Sequence, residues 1–284
     1  MSLFFLYFCG NIYCPMEYSD TYVIIDNHLD RLTEPAMGDY ITHAYCSDGK
    51  CEIWYNDACF NLHKGDSMII VANRSVTKVV PSPDFQVKVI YVEMGFLQVC
   101  APHSNYGTRG GLSLYIDPIM RLNEDEQRRC EHDFDDVFHR VEHPHKYFHG
   151  DEMSVALQLL FIDFFEFHSR IYGDVDLSAQ TTSVMNRFVD MLDNGDYKKS
   201  REVAYFASEL CVSPKYLSEV CKKVSGYSAN YWINRYAAIE ISHLLKDRTL
   251  SLTDISDIFG FSSLSHFSRF VQNNLGASPS SFRE

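Results

Sequence analysis

Ile255-Ser-Asp-Ile258-Phe-Gly260-Phe-Ser-Ser-Leu-Ser-His-Phe267-Ser-Arg269 decides how this chain is read, because an earlier stretch repeats its pattern. Ala207-x-x-Leu210-x-Val212-Ser213 returns as Ser256-x-x-Phe259-x-Phe261-Ser262, an offset of 49. Leu217-Ser218 then returns as Phe267-Ser268, and Gly226-x-Ser228 as Gly276-x-Ser278, both at an offset of 50. The extra residue falls between the two apolar blocks of each copy, where a turn absorbs an insertion cheaply.

Each copy has the makings of a helix-turn-helix. A first helix carries a small residue at its crossing point, Ala207 or Ser256. A tight turn follows, and then a serine, Ser213 or Ser262, able to cap the second helix by accepting from free backbone N–H groups. The second helix buries one face, through Leu217 and Val220 or Phe267 and Phe270, and presents the other. Between the copies, 229–245 carries apolar residues at helical spacing (Ile233, Ala237, Ile241, Leu244, Leu245) and is expected to be one long helix. Such a helix can hold two reading helices one DNA turn apart, roughly 34 Å.

The two copies, the helix between them and the closing Gly276-x-Ser278-Pro279-x-x-Phe282-Arg283 together resemble the signature of AraC/XylS-type regulators over about 100 residues from near Leu177 to the C-terminus. Val203-Ala-Tyr-x-Ala207 and Ser213-Pro-Lys-Tyr-Leu217-Ser are similar to that family's first helix-turn-helix. The resemblance implies a seven-helix domain that binds double-stranded DNA, reads two adjacent major grooves and regulates transcription. It further implies a homodimer, contact with RNA polymerase, activation rather than repression, and a small-molecule effector. The matching positions in the first unit are Ser213, Pro214, Lys215, Ser218, Glu219, Lys222 and Lys223. In the second they are Ser263, Ser265, His266, Ser268 and Arg269. An arginine can fork onto guanine O6 and N7, and a glutamate can accept from cytosine N4. Lys222 and Lys223 suit phosphate, which adds affinity without sequence information. The family's aromatic followed by two lysines is Val271-Gln272-Asn273 in the second unit, and the first keeps the lysines but has Cys221 for the aromatic. Fewer phosphate ligands imply weak, salt-sensitive binding by a monomer, with dimerisation making up affinity.

Charge is divided along the chain. Its 284 residues carry a net −13, an awkward total for a nucleic-acid binder. From Asp196 to the end, however, 11 Lys/Arg stand against 9 Asp/Glu, a net of +2, while the preceding residues carry −15. With 46% hydrophobic and 22% charged residues, the composition is that of a folded protein. The nine scattered cysteines include no Cys-x-x-Cys and are expected to be reduced thiols in a cytoplasmic protein, with Cys46 and Cys51 as an alternative pair. The apolar run near the N-terminus is too short to span a bilayer, and the first basic residue is Arg31, so neither a membrane anchor nor a signal peptide is expected. Residues 1–15 are expected to be a dispensable extension, with Met16 as an alternative start.

The expected architecture is a two-domain α+β chain. Short β-like segments at close, regular spacing from Tyr22 to about Glu93, separated by turn signals such as Asp48-Gly49 and Gly65-Asp66, predict a small barrel or sandwich, which the family resemblance makes a cupin-like β-barrel, within a sensor and dimerisation domain over 16–118. A helical dimerisation segment over 119–176 follows, and the all-α double helix-turn-helix occupies 177–284. The helix from Asp151 to Ile171 is apolar around much of its circumference and needs burial in the protomer or against a partner. Trp54, Tyr55, Phe60 and Phe85 are either barrel core or the lining of an effector pocket. His43 and His63 stand alone, without the His-x-His of metal-dependent cupins, so no catalytic metal, cofactor or enzyme activity is expected. His139 and His143, among His132, His145 and His149, have a spacing that can chelate, but no third ligand accompanies them and no metal site is assigned. The alternatives are a dimeric regulator without a small-molecule ligand, or a cupin-type enzyme fused to a DNA-binding tail.

Overall fold

In the computed structural model, residues 22–56, 58–71, 73–100, 112–173 and 178–283 are described. The expectations for residues 1–15 and Met16 lie outside them. Eight strands come first: β1 Val23–Asp26, β2 Tyr40–Asp48, β3 Lys50–Tyr55, β4 Ala58–His63, β5 Asp66–Ile70, β6 Val76–Pro81, β7 Gln86–Glu93 and, after α1 Met94–Cys100, β8 Ile119–Arg121. They form two antiparallel sheets, five-stranded in the order β1-β7-β2-β5-β8 and three-stranded in the order β4-β3-β6. Where the short, regularly spaced segments predict a small barrel, the described residues hold two sheets with no ladder joining them.

Strand alternation explains the layering. Ala44 and Cys46 of β2, with Val87, Val89 and Tyr91 of β7, face the small sheet and share a core with Cys51, Ile53, Tyr55 and Leu62. The intervening Tyr45, Ile90 and Val92 face the opposite way, into a core made with two helices, α2 Glu124–Glu142 and α3 His149–Tyr172. The large sheet is therefore covered on both sides, and β5 is buried along its whole length. Gly49 turns β2 into β3 at φ 70°, where a Cβ would sit 2.7 Å from the Phe85 backbone, so only glycine fits. Asn123 begins α2 with a capping box: its side chain accepts from the amides of Asp125 and Glu126, and the Glu126 carboxylate accepts from the Asn123 amide at 2.9 Å. Helix α3 buries Met153, Leu157, Leu160, Phe161, Phe164 and Phe167 on the sheet but leaves Val155, Leu159 and Ile162 about half exposed.

Among the described residues the C-terminal domain holds six α-helices: α4 Ala179–Asp193, α5 Val203–Glu209, α6 Pro214–Ser225, α7 Ala229–Lys246, α8 Leu252–Ile258 and α9 Leu264–Leu275. A 3-10 turn, Pro279–Phe282, closes it. Phe188, Phe206, Trp232, Phe259 and Phe267 are fully buried in one continuous core. The sheet domain meets α7 at a defined joint. Asn56, after β3, donates from its side chain to the Tyr115 carbonyl at 2.8 Å and accepts Arg235 Nη2 at 3.0 Å. The Tyr115 ring lies flat on Tyr236, with centroids 4.8 Å apart.

Candidate nucleic-acid interface

The two units fold alike because their turns have one conformation. Cys211 and Gly260 hold φ of 57° and 62°, and the amides that follow, of Val212 and Phe261, donate back to the Ala207 and Ser256 carbonyls at 2.9 and 3.0 Å. Glycine adopts the left-handed region freely; cysteine there carries a cost. Ala207 and Ser256 are buried at the crossings, as their small size predicts. Ser213 caps α6, accepting from the Tyr216 amide at 3.1 Å, with Pro214 in the first turn. In the second unit the cap is Ser263, not Ser262: its Oγ accepts from the His266 amide at 3.2 Å. The extra residue of the second turn advances the helix start by one, so the second serine takes the role. Each cap contributes about 1 kcal/mol.

Helix α6 buries Leu217, Val220, Cys221 and Val224; α9 buries Phe267 and Val271. The opposite faces are open. Ser213, Pro214, Lys215, Glu219, Lys222 and Lys223 are exposed on the first, with Ser218 half-buried. On the second, Ser263, Ser265, His266 and Arg269 are exposed and Ser268 is half-buried. The residues singled out in each unit thus share one solvent-facing surface. Lys215 lies 3.9 Å from Glu219 with both side chains largely in solvent, a pair weak enough to part at little cost. His266 is more constrained: Nδ1 lies 3.3 Å from Ser262 Oγ, and the ring meets Phe261 edge-on. Leu264, in the first turn of α9, is 46% exposed and was not among the residues found from sequence. An apolar side chain there suits a thymine methyl, and only the helix boundary reveals it.

Residues 206–284 match the family described as helix-turn-helix domain. Residues 206–284 form a helix-turn-helix domain. The chain is 30% identical over 107 residues to the Msm operon regulatory protein of Streptococcus mutans, covering 38% of each. It is 31% identical over 78 residues to the regulatory protein PocR of Salmonella typhimurium, covering 28% of this chain and 26% of that one. The matched stretches thus span well under half of both relatives. Among solved structures, ToxT of Vibrio cholerae O395 is 14% identical with a TM-score of 0.44, covering 92% of each chain. The AraC-like transcriptional activator CuxR is 10% identical with a TM-score of 0.35, covering 81% of this chain and 79% of that one.

The domain's two units are joined by α7, whose 18 residues give a rod of about 27 Å. Beside this domain, the aromatics singled out in the front half do not all come together. Tyr55 is fully buried, 6.4 Å from Phe60 between ring centroids, and Phe85 packs against the same core. Trp54 is on the other side of β3, with the Lys78 ammonium 4.6 Å over its ring. Cys46 and Cys51 are buried thiols, and burial lifts them to about 12 and about 11. The His139 and His143 rings stack at 4.6 Å, and among the described residues no three His, Cys, Asp or Glu side chains converge as metal ligands. No helix of the described residues is long and apolar enough to cross a membrane.

Proposed function

We propose that this protein is a sequence-specific transcription regulator, an activator, that reads two adjacent major grooves of double-stranded DNA from the cytoplasm. The observation that carries the reading is the pair of capped helices, α6 and α9, with open polar faces on either side of one linker helix. Lys215 and Arg269 supply base contacts; Lys222 and Lys223 hold phosphates. Arg269 can fork onto a guanine, which places the strongest single discrimination in the second block. The test is selection of bound fragments from random and genomic DNA with the wild-type chain, Lys215→Ala and Arg269→Ala. The expected motif has two short blocks about one turn apart, and each variant relaxes a different block at a cost of about 1–3 kcal/mol. Uniform, motif-free binding in all three overturns the reading.

For the front half, a cupin-like sensor domain in the resemblance, we propose homodimerisation as the main role. Val155, Leu159 and Ile162 are spaced four and three apart on α3 and exposed at 56%, 57% and 46%, a stripe that a second copy would cover. Tyr55 is fully buried beside Phe60, and Phe60 and Phe85 both pack against the same core, which favours the dimeric regulator without a small-molecule ligand over an effector pocket at those residues. A specific metabolite that raises the melting temperature would reverse that preference. RNA polymerase is the partner through which an activator bound beside a promoter would act.

A further inference from the structure

We propose that Arg201 is a positioning residue that fixes the second recognition helix relative to the first. The inference rests on the two-groove reading and adds to it what sets the geometry. A single helix such as α7 fixes distance along its own axis, yet a unit attached to one rod can still rock about it. A second point of attachment removes that freedom, and the structure supplies one.

Arg201 precedes α5 and so belongs to the first unit by sequence, but its guanidinium is built into the second. Nη1 donates to the Phe259 carbonyl at the end of α8. The guanidinium carbon lies 3.8 Å from the centre of the Phe261 ring in the turn and 5.7 Å from that of Phe270 on α9. One side chain thus touches the first helix, the turn and the recognition helix of the second unit. Phe261 is itself keyed to α9, with centroids 5.3 Å from Phe267 and 5.2 Å from Phe270. Half-buried against ring faces and a carbonyl, the cation is held by the ring quadrupoles and one hydrogen bond rather than by a carboxylate. Burial lowers its pKa.

Neighbouring residues extend the same clamp. The Tyr197 ring lies 6.2 Å from Phe259 at 12° between planes, and its hydroxyl donates to Glu240 on α7. Lys198 pairs with that same carboxylate. The stretch 197–201 therefore ties the first unit, the linker helix and the second unit together. Lysine could not replace Arg201 fully, because an ammonium is a point charge without the planar fork that reaches a carbonyl while lying over a ring.

The experiment uses the full chain as wild type, Arg201→Ala and Arg201→Lys. Affinity is measured on the two-block DNA recovered by selection, on the same blocks separated by a further five or so base pairs, half a turn, and on a single block. The wild type is expected to favour the native spacing over the offset one by about tenfold or more, as two linked contacts require. Arg201→Ala is expected to lose most of that preference, falling about tenfold on two-block DNA while staying within about twofold on the single block. Arg201→Lys should lie between them. Should the alanine variant fail to fold, by circular dichroism, the lysine variant and Phe261→Leu carry the test with the same expectation. Equal loss on single-block and two-block DNA, or spacing preference undiminished in these variants, overturns the role of Arg201. Indifference to spacing in the wild type would instead overturn the two-groove reading beneath it.

Discussion

His43 shows how much one position can decide. In β2 it sits among Ile69 and Ile90 of the flanking strands, and its ring is stacked against Phe161 and Phe164 at 5.2 and 5.7 Å. Its one favourable polar contact is with the Ile90 backbone, and burial holds its pKa down to about 4. An unfolded histidine takes its proton near 6.5, so between those values the folded chain binds fewer protons than the unfolded one. The stability this neutral ring confers is present above pH 6.5 and lost as pH falls towards 4. Between pH 7 and pH 5 the loss is about 2 kcal/mol. Asp133, raised to about 7 by burial and the neighbouring Asp163, titrates in any variant that keeps it and cancels in a comparison. His43→Leu should therefore gain about 2 kcal/mol relative to wild type on going from pH 7 to pH 5, measured by urea unfolding. A difference that does not change with pH contradicts this account. From sequence, His43 could be read only as a lone histidine without a metal partner; the rings that surround it come from a helix over a hundred residues away. Ser213 and Ser263 mark the same boundary. The first cap was legible because Pro214 fixes the helix start behind it, whereas Ser262 and Ser263 stand side by side and only the turn geometry chooses between them.

At the scale of elements, the helix-turn-helix pair was legible because the repeat carries its own register: small residue at the crossing, turn, cap, apolar face. The joints between elements were not, since Arg201 and Tyr197 reach the second unit from outside either repeat and leave no periodicity. The elements also differ in a way that can be tested. Helix α6 ends with exposed Lys222 and Lys223, where α9 has exposed Gln272 and Asn273 at the same offset of 50. Gln272 spends its side-chain amide on the Gly276 carbonyl at 2.9 Å, closing its own helix instead of meeting a phosphate. Gln272→Lys with Asn273→Lys should tighten binding and steepen the dependence of log affinity on log salt by about 0.9 per new phosphate contact. Fluorescence anisotropy across a salt series gives the slope, and an unchanged slope would place the end of α9 away from the DNA backbone.

Across the whole molecule, the acidic front half and the near-neutral C-terminal domain meet where Asn56, Tyr115, Arg235 and Tyr236 interlock. That joint puts the sheet domain directly on the helix that spaces the two recognition helices. Short strand-like runs at regular spacing announced a small β domain, but not whether its sheets would close. The covered second face of the large sheet is set by α2 and α3, whose apolar residues read equally well as partner-facing. Helix α3 serves both ends: one face packs on the sheet and the other carries the exposed stripe. Leu159→Glu places a charge in the middle of that stripe and should convert a dimer to a monomer in analytical ultracentrifugation without unfolding the chain, since the position is 57% exposed in the protomer. A dimer that survives the change would move the interface elsewhere. Methylation interference on the selected DNA tests two-groove reading most directly, because guanine N7 lies in the major groove. Interference is expected in two clusters about 10 base pairs apart, with one cluster alone lost in Arg269→Ala. A single cluster, or the loss of both together in that variant, would contradict a chain that reads two grooves with two separate helices.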